Sequence, residues 1–268
     1  MKQCIDNPND VDWSGFWAEK LATKKDKDWD KAAPGFYKRT RKDDYQIALF
    51  DKLILDENDT VLDVGCGEGS VTIPIAKRVK KVIGLDSSPK MLEYLEKRAD
   101  ENGISNIETV LQSIEEITYD EIGDVDVVVC SRSLNGIIPI EEVLFELNRI
   151  ANKYVFITIF GPENKKIEKD FDRELGIKTE DFPDYNYLFN ILFNMGIYAN
   201  VERFDLNNYR EYESIEEAMD NGKFRLDLYS DEEKELLRDY LERILTFEDG
   251  KYFNVKDKAD WVMVWWKK

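Results

Sequence analysis

Histidine is absent from the 268-residue sequence. Its absence removes the side chain most often used as a general base near neutral pH, and the commonest metal ligand with it. Ser-His-Asp hydrolysis, Cys-His proteolysis and histidine-ligated zinc catalysis are excluded. Cysteine is scarce. Cys4, Cys66 and Cys130 stand far apart with no Cys-x-x-Cys pair, so neither a disulfide framework nor a structural metal site is indicated. Cations are outnumbered, 38 Lys and Arg against 56 Asp and Glu, for a formal net charge of −18. That balance argues against a nucleic-acid partner, because neutralising a phosphate backbone needs clustered Lys and Arg. Two short basic stretches, Lys38-Arg39-Thr40-Arg41-Lys42 and Lys77-Arg78-Val79-Lys80-Lys81, border expected helices and read as solvated faces.

Long apolar runs are also missing. The longest uncharged stretch, Tyr185–Val201, is shorter than the roughly 20 apolar residues a membrane span requires. Within it Asn186, Asn190 and Asn194 make one polar stripe opposite Leu188, Ile191, Leu192 and Met195, the pattern of an amphipathic core-packing helix. No apolar segment of signal-peptide length occurs in the opening Met-Lys-Gln-Cys-Ile-Asp-Asn-Pro. Together with the unpaired cysteines this points to a protein of the reducing cytoplasm, with no membrane partner. Hydrophobic residues nevertheless make up 43%, enough to bury the core of one large α/β domain.

The most informative stretch is Val61-Leu-Asp-Val-Gly-Cys-Gly-Glu-Gly69. Thr60–Val64 reads as a short buried strand, and glycines at every second position allow a tight turn and close approach of the backbone to a ligand. A helix is expected to begin near Ser70, its free N–H groups and positive dipole end facing the loop. Val82–Leu85 reads as the next strand, and Asp86 at its end is placed to accept hydrogen bonds from both hydroxyls of a ribose. A dinucleotide fingerprint would carry a third glycine where Ser70 stands, which disfavours a nicotinamide-dependent oxidoreductase.

The frame Asp63-Val-Gly65-Cys-Gly67-Glu-Gly69 resembles motif I of the class I methyltransferases dependent on S-adenosylmethionine (SAM). Ile83–Leu92 resembles that family's second motif, and Asp124–Ser131 with a helix near Glu141–Ile150 its fourth strand and helix. The resemblance runs through residues 46–160 or so. It implies a doubly wound, mostly parallel seven-stranded sheet with helices on both faces and an antiparallel C-terminal strand. Residues 1–45 would form a helical cap, 46–204 the cofactor-binding core, 205–257 a helical insertion and 258–268 the final core strand. Strands are expected near 60–64, 81–85, 107–112, 125–130 and 154–160, with helices near 70–79, 89–102, 114–117 and 140–150; Pro74 should delay or bend the first of these. Further helices are expected near 163–175, 185–195, 213–221 and 230–246, and a strand near 197–204.

The reaction implied by the resemblance is methyl transfer from SAM to an acceptor by in-line displacement, in which the protein mainly positions the two reactants. Gly65, Cys66, Gly67 and Gly69 would pass beneath the methionine moiety and Asp86 would hold the ribose. Asp63 has two readings, contact with the cofactor's amino group or bonding to loop amides alone. Ser87 and Met91 would flank the adenine, although Met91 also suits ordinary helix packing. Relatives often carry an Asp after the third strand; here Leu111-Gln-Ser113-Ile114-Glu115-Glu departs from that, and Ser113 or Glu115, alongside the Ile114 amide, is the candidate replacement. Cys130 is included among the cofactor contacts, with a small buried residue as the alternative to a nucleophile. Arg132 could pair with a helix or bind an acidic acceptor, and Trp13, Trp17 or Trp29 could pack or line an acceptor pocket. The region after the fourth strand lacks the Asn/Asp-Pro-Pro-Tyr/Phe sequence of enzymes that modify adenine, cytosine or glutamine amides. A small-molecule acceptor is expected, the alternatives being RNA, a protein side chain, or SAM binding without turnover.

Overall fold

The computed structural model describes residues 11–24, 27–38, 44–177, 182–222, 224 and 226–268. Cys4 and residues 39–42 of the first basic stretch lie outside them. In chain order the elements begin with α1 (Trp13–Leu21), α2 (Trp29–Lys38) and α3 (Asp44–Lys52). The alternating region follows as β1 (Thr60–Val64), α4 (Thr72–Ala76), β2 (Lys81–Asp86), α5 (Pro89–Glu101), β3 (Ile107–Leu111), α6 (Tyr119–Ile122), β4 (Val125–Ser131), α7 (Ile140–Ile150) and β5 (Ala151–Phe160). The remainder comprises α8 (Lys166–Glu174), α9 (Tyr185–Asn194), β6 (Asn200–Arg203), β7 (Tyr209–Tyr212), α10 (Ile215–Asn221), α11 (Asp231–Ile244), β8 (Thr246–Glu248), β9 (Lys251–Lys258) and β10 (Trp261–Lys267).

The main sheet has seven strands in the order β3-β2-β1-β4-β5-β10-β6. β1 to β5 run parallel, and β10 inserts antiparallel between β5 and β6 with Trp261 opposite Phe160 and Lys267 opposite Tyr154. Both faces of the central strands are covered, which is why they read as continuous apolar runs. Period-two alternation divides them between two cores. Leu62, Val64, Val128 and Cys130 face the core shared with α1, α7 and α9. Val61, Val127 and Val129 face the core that includes Tyr45 and Leu49 of α3.

The uncharged stretch forms α9 as its stripe implied. Leu188, Ile191 and Leu192 are buried, Tyr187 meets Trp13 edge to face at 5.7 Å between ring centroids, and the Asn190 and Asn194 amides donate to the Asn186 and Val11 carbonyls. No helix among the described residues is long and apolar enough to cross a membrane.

Three expectations require correction. The helix expected over 70–79 is only Thr72–Ala76; it starts late, which places Pro74 in the first turn, where the missing N–H has no intrahelical acceptor to lose. The segment 205–257 is not wholly helical: β7, β9 and β8 form a second, antiparallel sheet, and Lys258 ends β9 rather than opening the last core strand. The signal for its hairpin was the dipeptide Asp249-Gly250 between β8 and β9, where both residues have positive φ, 50° and 79°, as a two-residue turn demands. Lastly, α8 leaves the region assigned to the main core. Its Ile167 and Phe171 pack with Tyr212, Ile215, Leu237 and Tyr240 in a second apolar cluster.

Candidate functional site

Strand order reverses between β1 and β4: β2 and β3 lie to one side, β5 and β10 to the other. Open α/β sheets bind ligands at the carboxyl ends of their strands beside such a point. The two loops that border it touch. Gly65, directly after β1, has φ 71°, and a Cβ on it would stand 2.4 Å from Ser133 Cβ in the loop after β4 and 3.1 Å from Ile114 Cδ1 in the loop after β3. Gly67 and Gly69 also have positive φ, 54° and 86°. The turn they allow folds back on β2, with the Gly65 and Cys66 amides both donating to the Leu85 carbonyl at 2.7 and 3.0 Å.

Two carboxylates lie under and beside this loop. Asp63 is buried on β1. The Thr72 hydroxyl donates to its Oδ2 at 2.7 Å, while Oδ1 is buried with no hydrogen-bond partner. Burial raises its pKa to about 7 against the pull of the Thr72 bond, and the charges of Asp86 and Glu68 add to the rise. Asp86 ends β2 and ties two loops together: the Gly67 amide donates to its Oδ2 and the Ser88 amide to its Oδ1, each at 2.9 Å. Burial pushes its pKa upward, and those two amides counter the shift. Each oxygen retains capacity for a further donor.

The N-terminal helices reach both sides of the crevice. Asp30 of α2 accepts from the Ser88 hydroxyl and, at 3.1 Å, from the Lys90 amide, which joins α2 to the start of α5. Tyr37 stacks on Tyr94 of α5 with ring centroids 4.5 Å apart. On the other side, the Tyr45 hydroxyl of α3 is hydrogen-bonded to Ser131 Oγ at 2.7 Å and Thr158 Oγ1 at 2.6 Å.

A family model described as a methyltransferase domain matches residues 55–186. Residues 55–186 are a methyltransferase domain of the class I SAM-dependent type. A Haemophilus influenzae chain named as an uncharacterized protein is 28% identical over 227 residues, which covers 83% of this chain and 81% of that one. The Aliivibrio fischeri 23S rRNA (uracil(1939)-C(5))-methyltransferase is 37% identical over 70 residues, 26% of this methyltransferase but only 16% of the rRNA enzyme. Among solved structures, a Haloferax volcanii chain assigned as a methyltransferase, in complex with the activator Trm112, superposes with a TM-score of 0.55 at 14% identity, covering 90% of this chain and 99% of that one. At that identity the likeness is one of fold.

The structure brings Asp63, Gly65, Gly67, Gly69, Asp86 and Ile114 together around the crevice of this methyltransferase. Ser113 is nearby as the cap of a short 3-10 turn, where it accepts from the Glu115 amide, and the Gln112 amide donates to the Asp86 carbonyl. Ser87 is exposed beside Asp86. Met91 is buried on α5, and its Sδ stands 3.9 Å from where a Gly67 Cβ would be. Both crevice cysteines turn inward. Cys66 packs over Gly84 with Ile73, Leu92 and Leu95, and Cys130 is wholly buried among the core residues of β4, so burial holds both thiols well above their ordinary pKa. Trp17 is also structural: its ring is buried and its Nε1 donates to the Ile137 carbonyl at 2.6 Å. Tyr45, Ser133 and Thr158 went unnoticed in the sequence. Each is a common residue type with no motif around it, and only the folding of α3, β4 and β5 places them together.

Proposed function

We propose that this methyltransferase transfers the methyl group of SAM to a small-molecule acceptor bound at the carboxyl ends of β4 and β5. The observation that carries this reading is the contact of the Gly65 and Ser133 loops at the strand-order reversal, with an unpartnered, buried Asp63 oxygen beneath it. The residues present suit the cofactor. Asp63 offers a desolvated carboxylate to the ammonium of the methionine moiety, and that charge would supply the partner its Oδ1 lacks. Asp86, already fixed by two amides, offers its remaining lone pairs to the ribose hydroxyls. The turn from Gly65 to Gly69 would hold the methionine moiety, and Ser87, Met91, Ser113 and Ile114 would border the adenine side.

When bound, SAM would supply a methyl group on a positively charged sulfur for displacement by a lone pair of the acceptor, with the electron pair of the S–C bond returning to the sulfur. Orientation is the protein's contribution, about 7–11 kcal/mol for well-aligned intramolecular cases. Asp86 sets the distance between the glycine turn and the second strand, and Ser133 packs that turn against the acceptor side.

A net charge of −18 supports a small molecule over a polyanion. The described basic stretch is consistent with this: Lys77 bonds Asn102, Arg78 the Phe50 carbonyl and Lys81 the Glu108 carboxylate. The rRNA enzyme's substrate does not transfer to this chain, since the shared segment is 16% of that enzyme. Incubation of the protein with methyl-labelled SAM and cell extract, followed by separation by size, tests the reading. Label is expected in low-molecular-mass product; label in polymer alone would refute it.

A further inference from the structure

Arg132 opens the loop that follows β4, one residue before Ser133. Its φ is 62°, a left-handed backbone that costs a non-glycine residue roughly 1–2 kcal/mol. The fold enforces it. The Arg132 amide donates to Thr158 Oγ1 at 2.9 Å, and Thr158 is itself held by the Tyr45 hydroxyl. The same helix supports the side chain: the guanidinium lies over the Tyr45 ring at 4.1 Å from its centroid and within 5.8 Å of the Trp261 ring. Stacking occupies the flat face of a guanidinium and leaves the N–H groups at its edge available.

In a chain with 56 acidic residues, no described carboxylate lies within ion-pair distance of this arginine. Every other described arginine except the exposed Arg78 does. Asp260, adjacent to Trp261 in sequence, is already engaged, by Arg203 Nη2 and by the Glu163 amide, both at 2.9 Å. Among the described residues, the helix pairing that the sequence left open for Arg132 is therefore not made. Beside it, Ser133 Oγ is buried without a hydrogen-bond partner.

From this cluster we infer that the acceptor is an anion: a small molecule bearing a carboxylate or phosphate that the edge of the Arg132 guanidinium receives, with its nucleophile directed past Ser133 to the glycine turn. The inference rests on the methyltransferase reading with a small-molecule acceptor. It accounts for a stacked, strained, unpaired cation at the ends of β4 and β5 in an otherwise acidic protein, because bidentate Arg–carboxylate or Arg–phosphate pairing needs this planar fork.

The test separates the low-molecular-mass fraction of a cell extract by ion exchange into anionic, neutral and cationic pools. Each pool is incubated with the full chain and methyl-labelled SAM, and SAM affinity is measured in parallel by calorimetry. Label should enter the anionic pool, and re-chromatography of that pool on carboxylate- and phosphate-selective steps distinguishes the two headgroups. Arg132→Gln should lower the rate about 10- to 150-fold, as loss of a charge-assisted pair implies, while its SAM Kd stays within about twofold; Arg132→Lys should recover part of the rate. Absence of label from the anionic pool, or an Arg132→Gln rate equal to that of the unsubstituted chain, overturns the proposal. Failure of the unsubstituted chain to bind SAM would instead bring down the cofactor reading beneath it.

Discussion

Ser133 occupies the space beside Gly65 so fully that a methyl group added to Gly65 would stand 2.4 Å from the Ser133 Cβ. The loop after β1 and the loop after β4 are thereby held in one register across the reversal of strand order. Gly65 is needed twice over, for its φ of 71° and for this contact.

Gly65→Ala should cost about 2–4 kcal/mol of stability, from left-handed backbone strain together with overpacking. In urea unfolding the double variant Gly65→Ala/Ser133→Gly should regain the overpacking part and retain a deficit of roughly 1 kcal/mol from the backbone. Equal destabilisation in single and double variants would show that the two loops are not coupled.

Asp63 should make both stability and cofactor binding depend on pH, in opposite senses. Its carboxyl ionises near pH 7 in the folded protein, well above the usual carboxylate range of an unfolded chain. Folding therefore takes up a proton between about pH 4 and 7, so the Asp63 contribution to stability falls as pH rises through that window and is level above it. An ammonium ligand selects the ionised form, so SAM affinity should rise about tenfold from pH 6 to pH 8, with proton release on binding at pH 6. Calorimetry in two buffers of different ionisation enthalpy checks this. Asp63→Asn should flatten the stability profile and weaken SAM binding; an affinity independent of pH would remove Asp63 from the site.

Asp86→Ala removes the acceptor of both the Gly67 and the Ser88 amides. At about 1.5–3 kcal/mol for each charge-assisted bond, SAM should bind on the order of 100-fold more weakly. Far-UV circular dichroism should be unchanged, because the strand itself is held by β1 and β3. Unchanged affinity would mean that the carboxylate serves the loop alone.

Arg210 pairs with two carboxylates beside the apolar cluster of α8, α10 and α11. Its Nε donates to Asp257 at 2.8 Å and its Nη2 to Glu168 at 2.6 Å, and the Tyr212 hydroxyl completes the Asp257 environment at 3.0 Å. Arg210→Met removes the cation that Asp257 and Glu168 share and should cost roughly 3–5 kcal/mol. Hydrogen exchange should show α8 and β9 losing protection while β1 and β4 keep theirs.

The parts of this molecule legible in its sequence are those that repeat a local rule. Thr60–Val64 and Val125–Ser131 are apolar because both faces of a parallel strand are covered, so their positions follow from hydrophobic runs alone. Gly65, Gly67 and Gly69 announce a backbone that only glycine adopts easily, and Asp86 closes the next strand at a fixed distance along the chain. Where reading failed, the rule was present but outweighed. Asp249-Gly250 marks a hairpin, yet the helical pattern of α10 and α11 before it suggested a helical insertion.

The sequence by itself determined the positions of the central strands, the cofactor class and the absence of histidine chemistry, because each is written in short local stretches or in composition. Only the tertiary structure decided that Asp63 keeps one oxygen unpaired, that Cys66 and Cys130 face the core, and that Tyr45, Thr158 and Arg132 meet beside Ser133. Those facts depend on burial and on contacts between residues up to 113 positions apart, as between Tyr45 and Thr158. Desolvation and the pairing of charge are properties of the space around a group, and local sequence does not specify that space.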